Sequence, residues 1–224
     1  MSVDYEIQGR VAIVTGASAG MGKASAVALA QQGVNLVLIA RNTSRLDEAK
    51  TEIEQKSGVD VIALGGSVTE PDLAQKAVAI ALARWQTIDI LINNAGGPPP
   101  GSFLQHDDSV WDAALNQNLK STIRFTRAVA PHMMEKKWGR IISITSTLAK
   151  EPSANMVLSA TARAGVSAFS KAISFELAPH GITVNTLCPG GVLTDRLHSL
   201  VTSSAHKQKK NSPKLLRKVR AAFP

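Results

Sequence analysis

The chain has 224 residues, 44% of them hydrophobic, which is enough for one doubly wound α/β domain with a substantial core. Its formal net charge is +8, but residues 197–224 carry seven Lys or Arg and no acid, so residues 1–196 are left at +1 and the basic character belongs to the C-terminal segment. No apolar run reaches the ~18 residues that span a bilayer, the opening MSVDYEIQGR holds no signal-peptide core, and the one cysteine, Cys188, excludes an intramolecular disulfide, so a cytoplasmic location is the default expectation.

Strands are predicted near residues 11–15, 35–40, 60–64, 89–93, 140–145 and 182–187, with helical patterns between them. That alternation predicts a single-domain, three-layer α/β/α Rossmann-like fold with a parallel sheet in the order 3-2-1-4-5-6. The first strand leads into Val11–Gly22, VAIVTGASAGMG, and then into a helix from about Met21 to Gln32. A buried β-branched strand, a glycine turn and a helix N-terminus together make a phosphate site, because backbone N–H groups face the anion and glycines let it approach. The candidate cofactor contacts here are Thr15, Gly16, Ser18, Gly20, Met21 and Gly22. The spacing Gly16-x3-Gly20-x-Gly22 departs from G-x-G-x-x-G, and an ordinary tight turn is the alternative.

The second strand, Val34–Ala40, ends where an acidic residue would select NAD through the ribose. Arg41-Asn42-Thr43-Ser44-Arg45 stands there instead. Arg41 can pair with a 2′-phosphate and Ser18 can add a hydrogen bond, which points to NADP, with NAD as the alternative cofactor; a solvated strand-end arginine is the plainer reading. After the fourth strand, Gly96-Gly97-Pro98-Pro99-Pro100-Gly101 is a stiff loop, either a wall of a substrate pocket or a simple turn.

With these segments in view the chain resembles the short-chain dehydrogenase/reductase family. TGASAGMG matches its TGxxxGxG loop, Asn93-Asn94-Ala95-Gly96 its NNAG motif, and Pro189-Gly190 with Thr194 its PGxxxT segment; the match runs from about Gly9 to Arg196. The resemblance implies a nicotinamide dinucleotide and a small carbonyl or alcohol substrate. It also implies that Asn94, Ala95 and Gly96 shape the adenine and ribose pocket, and that Pro189, Gly190, Val192 and Thr194 contact the nicotinamide end. After the third strand, Ser67-Val68 replaces an Asp that the family often carries for the adenine.

The family's chemistry uses an Asn, a Ser, a Tyr and a Lys four after the Tyr. Asn118, in LNQNLKS, matches the Asn, and Ser146, in IISITSTLA, matches the Ser; a helix side-chain bond and a strand-end cap are the structural alternatives. The family spacing from Ser to Tyr leads from Ser146 to residue 159, and the spacing from Lys to the Glu of the following helix leads back from Glu176 to 163. Both anchors place Ser159-Ala160-Thr161-Ala162-Arg163 where Tyr-x-x-x-Lys is expected. A rival register, Ser167 to Lys171, also lacks a Tyr and fails both anchors; the one tyrosine of the chain is Tyr5. A phenol titrates near about 10 and can give up a proton to an alkoxide. A serine hydroxyl is a far weaker acid, and arginine keeps its charge but passes no proton.

The expected catalytic group is therefore Asn118, Ser146, Ser159 and Arg163, with Arg163 also able to bond the cofactor ribose. The expected function is NADP-dependent carbonyl reduction, of the 3-oxoacyl or small-ketone class, with altered proton-donor chemistry. A catalytically silent dinucleotide-binding sensor or partner subunit is the second reading. A nucleic-acid or membrane binder acting through residues 197–224 is the third; Phe223 is the lone aromatic of that segment, so base stacking is unsupported and a helical or disordered extension is expected instead. Cys188 reads as core or pocket wall. No VDGG-like ending is present, so the family's last edge strand is expected to be missing, and a homo-oligomer is expected as a dimer ahead of a tetramer.

Overall fold

The computed structural model describes residues 5–197; nearly all of the basic C-terminal segment lies outside the described residues. Six strands, β1 (Val11–Thr15), β2 (Asn35–Ala40), β3 (Val61–Gly65), β4 (Ile90–Asn93), β5 (Gly139–Ile144) and β6 (Ile182–Leu187), form one sheet in the order β3-β2-β1-β4-β5-β6. Every neighbouring pair is parallel. This is the predicted order, and the observed strand limits fall within a residue of the predicted ones.

The helices α1 (Gly20–Gln31), α2 (Thr43–Ser57), α3 (Leu73–Trp85), α4 (Asp108–Leu115), α5 (Ser121–Lys136) and α6 (Val157–Leu177) supply the crossovers. Alternate residues of each strand point to opposite faces, and the core divides accordingly. Val11, Ile13, Val37, Ile39 and Leu91 pack with Leu73, Ala77 and Val78 of α3 and Phe125, Val129 and Met133 of α5. Ala12, Val14, Leu36 and Leu38 pack with Ala26 and Ala30 of α1 and Leu46 and Ile53 of α2. Fully burying one such Leu, Ile or Phe side chain stabilises by about 1.5–3 kcal/mol, which is why strands with so few polar residues settle in the middle layer.

Three features position the site. The sheet grows outward from β1 in both directions, so the loops after β1 and β4 diverge at a topological switch point and open a crevice at the strands' C-terminal ends. The stretch from α4 to α5 contains one π-helical turn, Asn116–Lys120, centred on Asn118. Among the described residues β6 pairs only with β5, and Thr183, Asn185 and Leu187 along it are exposed.

The chain divides into two compact units, Met1–Cys188 and Pro189 onward, and the second is described as far as Leu197. Among the described residues no helix is long and apolar enough to cross a membrane. Tyr5 lies upstream of the Gly9–Gly33 backbone bond at the sheet's N-terminal edge and is 62% exposed. The five residues of β1 put about 16 Å between that edge and the crevice.

Candidate active site

The glycine turn is locked to the loop after β4 by side chains from both. The Thr15 hydroxyl donates to the Asn94 carbonyl (3.0 Å) and accepts the Asn94 N–H (2.8 Å), while Asn94 Nδ2 donates to the Gly16 carbonyl (3.3 Å). Gly16 and Gly20 take left-handed φ values of 62° and 55°, where an L side chain is strained. At Gly22 the constraint is space: a Cβ would overlap the Gly16 carbonyl oxygen and lie 2.7 Å from Asn94 Nδ2. Ala19 caps α1 in extended conformation with no side-chain hydrogen bond, so the helix starts with its first-turn N–H groups uncapped beside Ser18 and the half-buried Met21. At the end of β2, Arg41 is exposed, and Asn42 caps α2 by accepting the Arg45 N–H (3.0 Å).

Ala95 and Gly96 continue the loop after β4, and the Gly96 carbonyl accepts from Gln117 Nε2 (2.7 Å), so the π-turn holds this loop. Gln117 directly precedes Asn118 in LNQNLKS, but nothing in that segment singles it out. Asn118 is buried; its Nδ2 donates to the Ala114 carbonyl (3.1 Å), and its own carbonyl accepts from the Thr122 (2.9 Å) and Ser121 (3.4 Å) hydroxyls. The helix-bond alternative is therefore realised for its amide nitrogen.

Ser146 follows β5 and caps a 3₁₀ turn, Thr147–Ala149, by accepting the Leu148 N–H (3.2 Å). That turn packs against α6, whose first residues include Ser159, 4% exposed. Arg163 lies one turn further on. Its Nε donates to Ser159 Oγ (3.2 Å), and its Nη1 donates to the carbonyls of Thr145 (2.6 Å) and Ile144 (3.3 Å). The guanidinium thus ties the start of α6 to the end of β5, where Thr145, one of its two carbonyl partners, directly precedes Ser146. The rival register points elsewhere: Lys171 is exposed and stacks over the Phe175 ring at 4.4 Å.

Thr145, which precedes Ser146 in IISITSTLA, fixes this end of the sheet. Its N–H (2.8 Å) and its hydroxyl (3.0 Å) both donate to the Leu187 carbonyl, and the hydroxyl lies 3.1 Å from Cys188 Sγ. Because the single hydroxyl proton is spent on Leu187, the thiol is the donor in the second contact. Pro189, Gly190, Val192 and Thr194 fall in the second compact unit, where the Thr194 hydroxyl donates to the Val192 carbonyl (3.4 Å).

The chemical content of the first unit's cluster follows from its donors. Ser146 and Ser159 each use the hydroxyl oxygen to accept a protein N–H, which leaves each hydroxyl proton to donate. Arg163 supplies permanent positive charge behind Ser159. The cluster offers hydrogen bonds to an oxyanion and no phenol.

Comparison with known proteins agrees with this architecture. The short chain dehydrogenase family model matches residues 10–205. A 3-oxoacyl-[acyl-carrier-protein] reductase of Synechocystis sp. is 36% identical over 192 residues, covering 85% of this chain and 77% of that protein. The D-beta-hydroxybutyrate dehydrogenase of Cupriavidus necator is 34% identical over 203 residues, covering 90% of this chain and 78% of its own. The crystal structure of L-sorbose reductase from Gluconobacter frateurii, complexed with NADPH and L-sorbose, is similar with a TM-score of 0.90 at 28% identity, over 97% of this chain and 82% of that one. The chain belongs to the short chain dehydrogenase family of oxidoreductases.

Proposed function

We propose that the protein is an NADP(H)-dependent reductase of small carbonyl compounds, of the 3-oxoacyl or small-ketone class, in which Ser159 and Arg163 occupy the positions of the family's Tyr and Lys. The observation that carries this reading is the Ser159–Arg163 hydrogen bond, with Arg163 anchored on the carbonyls of Ile144, the last residue of β5, and Thr145, which precedes Ser146.

A dinucleotide fits the crevice on two counts. The turn is closed to any Cβ at Gly22, and α1 begins with uncapped donors and the positive end of its dipole. Thr15, Gly16, Ser18, Gly20, Met21 and Gly22 would hold the pyrophosphate, Arg41 the 2′-phosphate, and Asn94, Ala95 and Gly96 the adenosine. Pro189, Gly190, Val192 and Thr194 are assigned to the nicotinamide end. The NADPH found in the sorbose reductase supports NADP over NAD. When bound, the cofactor supplies the hydride.

The chain's own residues then hold the substrate oxygen. The Ser146 and Ser159 hydroxyls donate to it, and Arg163, by donating to Ser159 Oγ, strengthens Ser159 as a donor. One such oxyanion donor contributes about 10²–10³ in rate, whereas the missing general acid forfeits about 10²–10⁴. Asn118 helps shape the site from the π-turn, and water is the proton source. A second reading, a cofactor-binding sensor or partner subunit without turnover, is favoured by the lack of a phenol. We assign residues 197–224 to a basic extension outside the catalytic domain, and a dimer is the proposed assembly.

Saturable quenching or enhancement of NADPH fluorescence, with NADPH oxidation across a panel of ketones, tests the proposal. Binding without turnover on any carbonyl substrate selects the sensor reading, and absence of NADPH binding overturns both.

A further inference from the structure

Among the described residues five side-chain atoms are buried without a hydrogen-bond partner: Thr87 Oγ1, His106 Nε2, Asn116 Oδ1, Arg124 Nη1 and Ser170 Oγ. His106 Nε2 is the one of the five that takes up and releases a proton between about pH 5 and 8. His106 closes the 3₁₀ turn Phe103–Gln105, in the loop from β4 to α4, on the crevice side of the sheet. The other described imidazoles, His132 and His180, stand near the end of α5 and just before β6, at the opposite edge. The ring of His106 fills a niche that exists because residue 101 is glycine: a Cβ there would overlap Nε2 and lie 2.6 Å from Cε1. Gly101 is in turn bridged to Met156, and its N–H donates to the Asn155 carbonyl (2.8 Å). Met156 caps α6 and its carbonyl accepts the Ala160 N–H (2.9 Å), so Ser159 stands less than one helical turn beyond the bridge. With about 4.8 Å between bridged backbones and about 4.5 Å of helix rise, the imidazole edge lies within roughly 10 Å of Ser159, a gap that a short chain of waters spans. In a ligand-free site a proton-transfer group commonly lacks its partner until substrate arrives.

We propose that His106 is the proton reservoir of this site, supplying through water the proton that a phenol would otherwise give. The proposal rests on the carbonyl-reductase reading and deepens it, since it names the group behind the water. The carbonyl carbon receives the hydride, and two electrons leave the dinucleotide with it. The carbonyl pair moves to oxygen, where the Ser146 and Ser159 hydroxyls hold it. Water gives that oxygen a proton and takes one from the His106 imidazolium, and solvent then reprotonates the ring. Among the described residues Asp107, the N-cap of α4, is the charged group in electrostatic contact with His106. The Ser109 hydroxyl and the Val110 N–H hold its carboxyl below the ordinary value, so its charge stays constant while an imidazole titrates. Gly101 and Gln105, which line the niche, and Met156 beyond them carry no charge.

The test uses the full chain with NADPH and ethyl acetoacetate, a 3-oxo ester. At about pH 6, His106→Gln should lower kcat by about 10²-fold. The parent's kcat should fall as the pH rises from about 6 to about 8, while that of His106→Gln stays flat. His106→Asn repeats the measurement if the Gln variant does not fold. A purely structural role is separated in the Ser159→Tyr, Arg163→Lys background: there a phenol gives the proton, and His106→Gln should cost less than about twofold. Apart from turnover, the His106 imidazole resonances, identified by their loss in His106→Gln, are titrated in the NADP⁺ complex with and without trifluoroethanol, an alcohol that resists oxidation. Their midpoint should move by at least about half a pH unit when the alcohol occupies the site. A flat parent profile, an equal loss in both backgrounds or an unmoved midpoint overturns the proposal and leaves the reductase reading standing. NADPH binding without turnover of any ketone, by contrast, sinks that reading and this proposal with it.

Discussion

Gly22→Ala adds one methyl group at the tightest point of the cofactor turn. That Cβ would overlap the Gly16 carbonyl oxygen, lie 2.8 Å from the Gly16 carbonyl carbon and 2.7 Å from Asn94 Nδ2. None of these neighbours moves freely: Gly16 is backbone, and Asn94 Nδ2 donates to the Gly16 carbonyl while the Asn94 backbone is held to Thr15 by two bonds. The turn must move. Overpacking of this kind costs about 1–3 kcal/mol, partly offset by up to about 1 kcal/mol of helix propensity when Ala replaces Gly. For a chain of this size about 1 kcal/mol corresponds to about 2–4 °C in Tm, so the variant should melt a few degrees lower. Displacement of the α1 N-terminus should also weaken NADPH at least about tenfold, since about 1.4 kcal/mol of lost anion contact suffices. Gly58→Ala is the control. It has open space around its Cβ and a φ of 71°, so it should lose about 1–2 kcal/mol of stability and leave NADPH affinity untouched. Thermal unfolding by circular dichroism and NADPH fluorescence titration read both effects. If Gly22→Ala melted and bound like the parent chain, the steric account of the turn would be wrong.

Ser159→Tyr combined with Arg163→Lys should raise ketone turnover by up to about 10²–10⁴-fold; unchanged turnover in a folded, NADPH-binding protein would contradict the assigned positions. Thr145→Val removes the hydroxyl that bonds the Leu187 carbonyl and receives the Cys188 thiol. It should cost about 1 kcal/mol of stability and change the rate at which Cys188, the only cysteine, reacts with a thiol reagent; Thr145→Ser should restore both, and identical rates in all three proteins would refute the contact. Glu52 receives hydrogen bonds from Lys23 and Lys56, which bring its carboxyl from 4.5 down to about 2. A depressed carboxyl contributes stability that is present above its unfolded value and is lost as the pH falls toward its folded one. The gap between the parent and Glu52→Gln should thus close between about 4.5 and about 2 and shrink with added salt, because the pair is exposed. Urea unfolding across that range checks it, and a gap that widened in acid would contradict it.

Much of the site is legible in the sequence because its parts are local. VAIVT must be a buried strand, TGASAGMG must turn tightly, and Ser159 and Arg163, four apart on a helix, must share a face. The π-turn at Asn116–Lys120 is not legible: its pattern reads as plain helix, and the turn is seen only in a segment that packs against α6. Gln117 and Thr145 stay hidden for a related reason. Their hydrogen-bond partners, Gly96 and Leu187, are 21 and 42 residues away in the chain.

The strand limits were decided by residues alone, since apolar periodicity and glycine spacing are properties of short segments; the strand order came from the doubly wound pattern, and the expectation of a missing phenol from the family resemblance. Which way the guanidinium of Arg163 points was not decided by residues alone. That required β5 and α6 to pack, because only then do two strand-end carbonyls and one hydroxyl converge on it.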